Sequence, residues 1–373
     1  MTIRQVEFLS QNRPGPQMGM GHYERLLITH LARHGAADGW RFGITFDGRA
    51  GGPQIDPVSL APGLRSTAFL GFSTERLSRL PWDAVQAVMR VRTWPAHAQL
   101  YHALALTYPA PPRTPVVITI HDLPPARFPD EGALPHWVGQ AAQQAAAIVT
   151  PSRFAQAELV TLLGVAAERV HVVPNGCEQT RFHAGVAPAD AATLAQRGIR
   201  GPFLMYVGGA TQRKNVRALL AAWASVAAEY PDLSLVLAGP LDPLAALATA
   251  VSAPRVVVAG YLDRGSLPAV LKAAVALVYP SVYEGFGLPP LEAMALGVPV
   301  VAVRAGAVPE VVRSAALLAE DGTVESIAVT VRRLLGDRDL ARQLAAAGPA
   351  RAQVFSWADH ADRVLALYRQ VLA

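Results

Sequence analysis

The chain has 373 residues, a formal net charge of +5 and a single cysteine, Cys177. That length accommodates two α/β domains, and a hydrophobic content of 51% supplies sizeable cores. One cysteine excludes an intrachain disulfide and suits a reducing cytoplasm, and neither a run of about 18 uncharged apolar residues nor the apolar stretch of a secretory signal is present.

The charge argues against nucleic acid as a partner. Residues 1–183 carry 16 basic and 13 acidic side chains, and residues 184–373 carry 17 and 15. No basic half and no nucleic-acid motif stands out. Of the 33 basic residues 31 are arginine, and the two lysines are Lys214 and Lys272.

In chain order, RQVEFL (Arg4–Leu9) reads as a first strand. A Pro/Gly-rich loop follows, and from His22 the apolar residues Leu26, Leu27 and Leu31 recur at helical spacing. Gly19 and Gly21 therefore join a strand to a helix start, where a missing Cβ lets the backbone approach a diphosphate; an ordinary glycine loop is the alternative. Residues 47–66 are turn-rich with a short strand or two. Thr74–His97 reads as a helix broken near Pro81, with Trp82, Trp94, Arg76, Arg79, Arg90 and Arg92. A solvated face explains it better than a membrane-surface helix, because Glu75 and Asp83 reduce the charge.

Leu100–Leu106 is the next strand, and PVVITI (Pro115–Ile120) a buried parallel one. His121 and Asp122 stand at its carboxyl end, where open α/β sheets bind ligands. Ala146–Thr150 and Arg169–Pro174 are further strands around a helix that follows Ser152. The polar, Ala-rich stretch Glu178–Gly201 reads as a linker. The second half opens with Phe203–Val207, then Gly208-Gly209-Ala210-Thr211-Gln212-Arg213-Lys214 and a helix. Positive charge there opposes the helix dipole, so a bound anion explains Arg213 and Lys214 better than helix-start polarity. Ser234–Ala238, Val256–Ala259 and Val298–Ala302 are strands. Leu267–Ala274, Val324–Gly348 and Trp357–Leu372 are helices.

Between them lies YPSVYEGFGLPPLEAMALGVPVV (Tyr279–Val301). Glu284 follows a buried strand, Ala276–Pro280. Gly285-Phe286-Gly287 resists helix, and Pro289-Pro290 suits a helix start, which would put Glu292 in the first turn. The backbone N–H groups of Phe286, Gly287 and Leu288 would then face an anion. A helix-start glutamate and a solvated loop acid are the plainer alternatives.

This whole string resembles the E-x7-E region of retaining nucleotide-sugar glycosyltransferases of family 4 (glycosyl transferases group 1). ITIHDLPPARFP resembles the HDL segment of the same family, notably of its mannosyltransferases, and Ser152 its loop serine. The resemblance implies an α/β chain of the GT-B fold, with two doubly wound Rossmann-like domains facing an interdomain cleft. The domains would be 1–183 on the acceptor side, 184–355 on the donor side, and a last helix at 356–373 crossing back.

The implied activity is transfer of a hexose from a nucleoside-diphosphate sugar to an acceptor hydroxyl, with GDP-mannose favoured over UDP-sugars. His121, Arg213, Lys214 and Glu284 would be catalytic. Gly19, Gly21, Gly209, Tyr261, Phe286, Gly287, Leu288 and Glu292 would bind the donor, with Tyr261 beneath the base and Glu292 on the ribose. No Asp-x-Asp pair stands at a strand end, so no obligatory metal or other cofactor is expected. Membrane contact, at the inner face, is expected only for a lipid acceptor. The rival readings are a GT-B nucleotide-sugar 2-epimerase, a sugar phosphorylase, or a non-catalytic nucleotide-sugar-binding subunit.

Overall fold

The computed structural model describes residues 4–10, 20–47, 65–69, 83–84, 87, 98–104 and 114–373. Gly19 and most of the expected 74–97 helix, with Trp82 and Trp94, lie outside the described residues. The chain divides into two compact units: Met1–Ala126, Ala133–Gly176 and Trp357–Ala373 in one, Arg127–Gly132 and Cys177–Ser356 in the other.

The first unit is built on seven parallel strands in the order β3-β2-β1-β4-β5-β6-β7. They are β1 (Arg4–Ser10), β2 (Trp40–Asp47), β3 (Arg65–Phe69), β4 (Leu100–Ala103), β5 (Val116–Thr119), β6 (Ala147–Thr150) and β7 (Val170–Val172). Every residue of β4, β5 and β6 is buried, as expected for a parallel sheet covered on both faces. Strand β2 was not anticipated because Gly43 interrupts its β-branched and aromatic pattern. The glycine is there for space: a Cβ on it would lie 2.0 Å from the Glu7 carboxylate on β1. Helix Met20–Gly35 and the C-terminal helix Trp357–Leu372 pack together, joining Tyr23, Leu27 and Leu31 to Trp357, Ala361, Val364 and Tyr368 in one core.

The second unit holds six parallel strands in the order β10-β9-β8-β11-β12-β13. They are β8 (Phe203–Val207), β9 (Ser234–Ala238), β10 (Val256–Gly260), β11 (Ala276–Tyr279), β12 (Val300–Val303) and β13 (Leu317–Ala319). The order reverses between β8 and β11, so the segments leaving these two strands share the switch point at which such sheets bind ligands.

Three expectations change. The stretch 178–201 is not a free linker: Phe182 and Ile199 are buried in the second core, Asp190 caps a short helix, Ala191–Ala195, and Ala189 N donates to Ala269 O at 2.9 Å. This packing places the break at 176/177, where Cys177 N already bonds Phe355 O at 2.9 Å. The expected helix 324–348 is two, Val324–Gly336 and Arg338–Gln353, separated by Asp337, whose carboxylate accepts from Leu340 N. A helix at Leu241–Val251 was missed altogether.

Candidate functional site

The switch point of the second sheet gathers the cations and one carboxylate. After β8 the chain turns through Gly208 and Gly209, and Tyr206 Oη donates to Gly209 O at 2.6 Å. A Cβ on Gly209 would meet nothing within 4 Å, so that face of the loop is open. Gln212–Lys214 then forms a 3-10 turn. Asn215 ends it at φ 55°, with its amide donating to Gly322 O at 2.8 Å and Pro280 O at 3.3 Å. Val282 N donates to Arg213 O at 2.9 Å. The turn after β8 is thus laced to the loop after β11.

Glu284 sits in that loop with a side chain 9% exposed. Lys214 Nζ donates to its Oε1 at 2.6 Å and Arg213 Nη1 to its Oε2 at 3.1 Å. Burial works to raise the Glu284 pKa, but Lys214 and Arg213 outweigh it and hold the carboxyl below its ordinary range. Arg213 is shared: its Nε donates to Glu131 Oε1 at 2.6 Å. Next to Glu131, Asp130 accepts from Gln212 N at 2.7 Å. The two cations were expected to need an outside anion. Glu284 and Glu131 already balance them, and the dipole argument loses its force.

The helix after Glu284 runs Leu288–Ala295. Gly287 leads into it at φ 105°, a conformation that favours glycine. Pro289 and Pro290 carry no N–H, so the main-chain donors at this terminus are those of Phe286, Gly287 and Leu288. The Phe286 ring itself is core, edge-on to Phe355 at 5.5 Å. Glu292 is the fifth helical residue rather than a first-turn one, because the helix starts at Leu288. It is buried, and Arg264 Nη2 donates to its Oε1 at 3.1 Å. Burial raises its pKa against the opposing pull of Arg264. Tyr261, at the exit of β10, is 43% exposed.

In the first unit His121 follows β5, and its ring meets the edge of Tyr23 at 4.3 Å. Tyr23 lies on the helix that begins beside Gly21, where a Cβ would meet nothing within 4 Å. His121 Nε2 is buried without a hydrogen-bond partner. Burial lowers its pKa to about 4, so the ring is neutral at pH 7. Among the described residues no group of three His, Cys, Asp or Glu side chains could hold a metal ion, and no helix is long and apolar enough to cross a membrane.

Sequence reasoning missed Glu131, Asp130, Arg264, Glu178 and Gly306 as parts of this site. The first four are charges in short loop or turn strings that carry no motif. Gly306 has φ 57°, and a Cβ there would lie 2.7 Å from both the N and the O of Glu284; Ala307 N donates to Glu284 O at 2.9 Å. Gly306→Ala is therefore expected to push the Glu284 loop off Lys214. Turnover should fall about 100-fold, with a cost of about 1 kcal/mol from the left-handed backbone. Steady-state assay with a thermal melt checks it; unchanged turnover would remove the glycine from the site.

Residues 26–181 match the family described as Glycosyltransferase Family 4, and residues 195–351 the family described as Glycosyl transferases group 1. O-antigen chain mannosyltransferase B of Escherichia coli is 34% identical over 237 residues, which span 60% of this chain and 60% of that protein. Alpha-maltose-1-phosphate synthase of Mycobacterium tuberculosis (strain CDC 1551 / Oshkosh) is 31% identical over 344 residues, 82% of this chain and 86% of its own length. The structure of sucrose-phosphate synthase from Thermosynechococcus elongatus is similar with a TM-score of 0.77 at 24% identity, covering 99% of each chain.

Proposed function

The chain belongs to the family-4 glycosyltransferases, the glycosyl transferases group 1, and from that premise we propose that it moves mannose from GDP-mannose to an acceptor hydroxyl with retention of anomeric configuration. Its two parallel sheets and its likeness to sucrose-phosphate synthase give it the GT-B fold. The observation that carries the reading is the Arg213–Lys214–Glu284 cluster at the switch point of the second sheet, directly before the Phe286–Leu288 amides.

Breaking the anomeric C–O bond leaves positive charge on the sugar and an extra negative charge on the departing diphosphate. Arg213, Lys214 and the amides meet the second, and preorganised donors of this kind are often the largest catalytic term. Glu284, anchored by both cations, takes sugar hydroxyls, and Glu292 takes the ribose. His121 of the first unit keeps a neutral ring whose Nε2 is buried without a partner. The acceptor oxygen bonds to C1 on the face the diphosphate leaves, and its proton passes to a leaving phosphate oxygen. Front-face transfer of this kind needs no second carboxylate as nucleophile, in contrast to a covalent route. The exposed ring of Tyr261 offers the base a stacking surface, and the cradle of side chains and amides supplies the charge stabilisation without an obligatory metal.

A thermal-shift screen with GDP, UDP, ADP, dTDP and their sugars, with and without EDTA, tests this. A ligand of the native state at a hundredfold excess over its Kd adds about 2.7 kcal/mol. A GDP-selective rise indifferent to EDTA is the expected result. A UDP-selective rise would replace the donor, and no rise with any nucleotide would overturn the reading.

Glu131 gives a prediction of opposite sign. It occupies Arg213 Nε with the same charge as a phosphate. Glu131→Gln is expected to tighten nucleoside-diphosphate binding by about fivefold, the equivalent of about 1 kcal/mol of relieved repulsion. Isothermal titration reads it directly; weaker binding would mean that Glu131 holds Arg213 in place for the ligand.

A further inference from the structure

Arg264 takes no part in the diphosphate, sugar or base contacts proposed for the donor. It stands in the turn after β10, three residues beyond Tyr261. Its Nη2 donates to Glu292 Oε1 and to Glu178 Oε2, both at 3.1 Å. Glu178 is itself held by Arg181 Nε at 2.8 Å, and Arg181 Nη1 donates back to Arg264 O at 3.3 Å. The guanidinium lies over Phe182 at 5.4 Å. Asp263 accepts from Gly265 N at 2.7 Å and Ser266 N at 2.9 Å, which stiffens the turn. Three segments remote in sequence are thus fastened around one buried carboxylate.

The cluster is a poor investment for stability alone. Arg264 Nε is buried with no hydrogen-bond partner, and a buried ion pair often only matches what well-packed apolar side chains would give. What the guanidinium does is fix Glu292. It occupies one lone pair of Oε1 and leaves Oε2 and the rest of Oε1 as acceptors. A vicinal diol presents two O–H donors and needs a carboxylate that only accepts.

We propose that Arg264 is the positioning residue for ribose recognition: it sets the rotamer and the charge of Glu292 so that both hydroxyls of a nucleoside diphosphate's ribose can donate to it. The proposal rests on the donor reading above, since it assumes that Glu292 meets a ribose. The groups facing Glu292 support it. Burial raises the Glu292 pKa, Arg264 opposes that, and Glu178 adds to it. Cys177, whose pKa burial pushes up to about 12, is neutral. On the neighbouring helices Lys272 bonds Leu296 O, Arg351 bonds Val311 O and Glu310 O, and Arg342 pairs with exposed Asp339. Arg264 is the cation that bonds the Glu292 carboxylate directly.

The test compares GDP and UDP with their 2′,3′-dideoxy forms by titration calorimetry from pH 5.5 to 8.5. Wild type is expected to prefer the ribose form by about 10- to 100-fold, the effect of hydrogen bonds to a charged acceptor. In Arg264→Gln the carboxyl loses its opposing cation, so its pKa rises further. The preference should then collapse at the acid end and recover as pH rises, with a midpoint above that of wild type. Arg264→Lys should restore the charge and with it the wild-type midpoint. A purely structural residue would weaken ribose and dideoxy forms alike at every pH, and that result would overturn the proposal, as would an unchanged ratio. If wild type binds neither nucleotide, the donor reading fails and takes this proposal with it. If wild type binds both but never distinguishes the dideoxy forms, only the ribose role of Glu292 and Arg264 fails.

Discussion

Lys214→Ala is expected to lower kcat/KM for the donor by about 10²–10³-fold, the usual loss when one preorganised charge-stabilising donor is removed. Stability should change far less. Glu284 keeps Arg213 at 3.1 Å, so no buried carboxylate is left unpaired. Glu284→Gln is the harsher change to the fold, because it strands Lys214 at a site where its side chain is 14% exposed; breaking a buried pair from one side costs about 3–5 kcal/mol. Lys214→Arg is not expected to rescue turnover, since a guanidinium fork cannot replace an ammonium 2.6 Å from Oε1 without moving Glu284. The pH dependence follows. A carboxyl whose folded pKa lies below its ordinary 4.5 contributes stability that is present above that value and lost as pH falls through the lower one. In Lys214→Ala the folded pKa moves back up towards the ordinary value, so the loss should be smaller and complete at a higher pH. Nucleotide release and thermal melts from pH 3.5 to 7 measure both effects. A variant with turnover within about threefold of wild type would take Lys214 out of the mechanism.

The first unit is expected to loosen on mild acidification. Its core holds a chain of hydrogen bonds: Tyr368 Oη with His102 Nδ1 at 2.5 Å, His102 Nε2 with Thr119 Oγ1 at 2.8 Å, Thr119 Oγ1 with Tyr23 Oη at 3.3 Å, Tyr23 Oη with His360 Nε2 at 3.3 Å, and His360 Nδ1 donating to Pro174 O at 2.8 Å. Burial lowers the pKa of His102 to about 3 and of His121 and His360 to about 4. In the unfolded chain each would titrate near 6.5. Protons therefore favour the unfolded state, and the stability these rings confer is full above pH 6.5 and lost as pH falls towards 4. The slope is about 1.4 kcal/mol per pH unit for each histidine. Peptide-level hydrogen exchange at pH 7, 6 and 5, corrected for the intrinsic rate, should show protection lost in helices Met20–Gly35 and Trp357–Leu372. Protection unchanged down to pH 5 would refute the linkage. His360→Gln, which keeps a polar side chain that does not titrate, should flatten the dependence.

The same network explains why His121 was legible and its setting was not. The HDL string placed a histidine at the carboxyl end of β5, which is a local fact. That its ring would rest on Tyr23, and that Tyr23 would be tied to His360 337 residues away, depends on the C-terminal helix returning to the first core. Glu292 shows the reverse failure. Its residue type points to the site, but its place on the helix shifts by one or two residues, since Pro289-Pro290 fits the second and third helical positions as well as the first. Tyr261 and Gly209 stand where strand exits were expected, because a continuous apolar run such as FLMYV ending in Gly-Gly has few other solutions.

By itself the sequence determined the strand–helix alternation, the family, and the presence of two cations and a carboxylate at strand exits, because propensity, periodicity and glycine geometry act within a few residues. Only the tertiary structure decided how those charges are balanced. Lys214 and Glu284 are 70 residues apart and Arg213 and Glu131 82. The first pair meets because β8 lies beside β11 in a parallel sheet, and the second because the short Arg127–Gly132 segment packs with the second unit. Strand order and segment packing are set by the burial of whole faces rather than by any local string. The partner of each buried charge, and with it the pKa of Glu284 and Glu292, emerges only once those faces have closed.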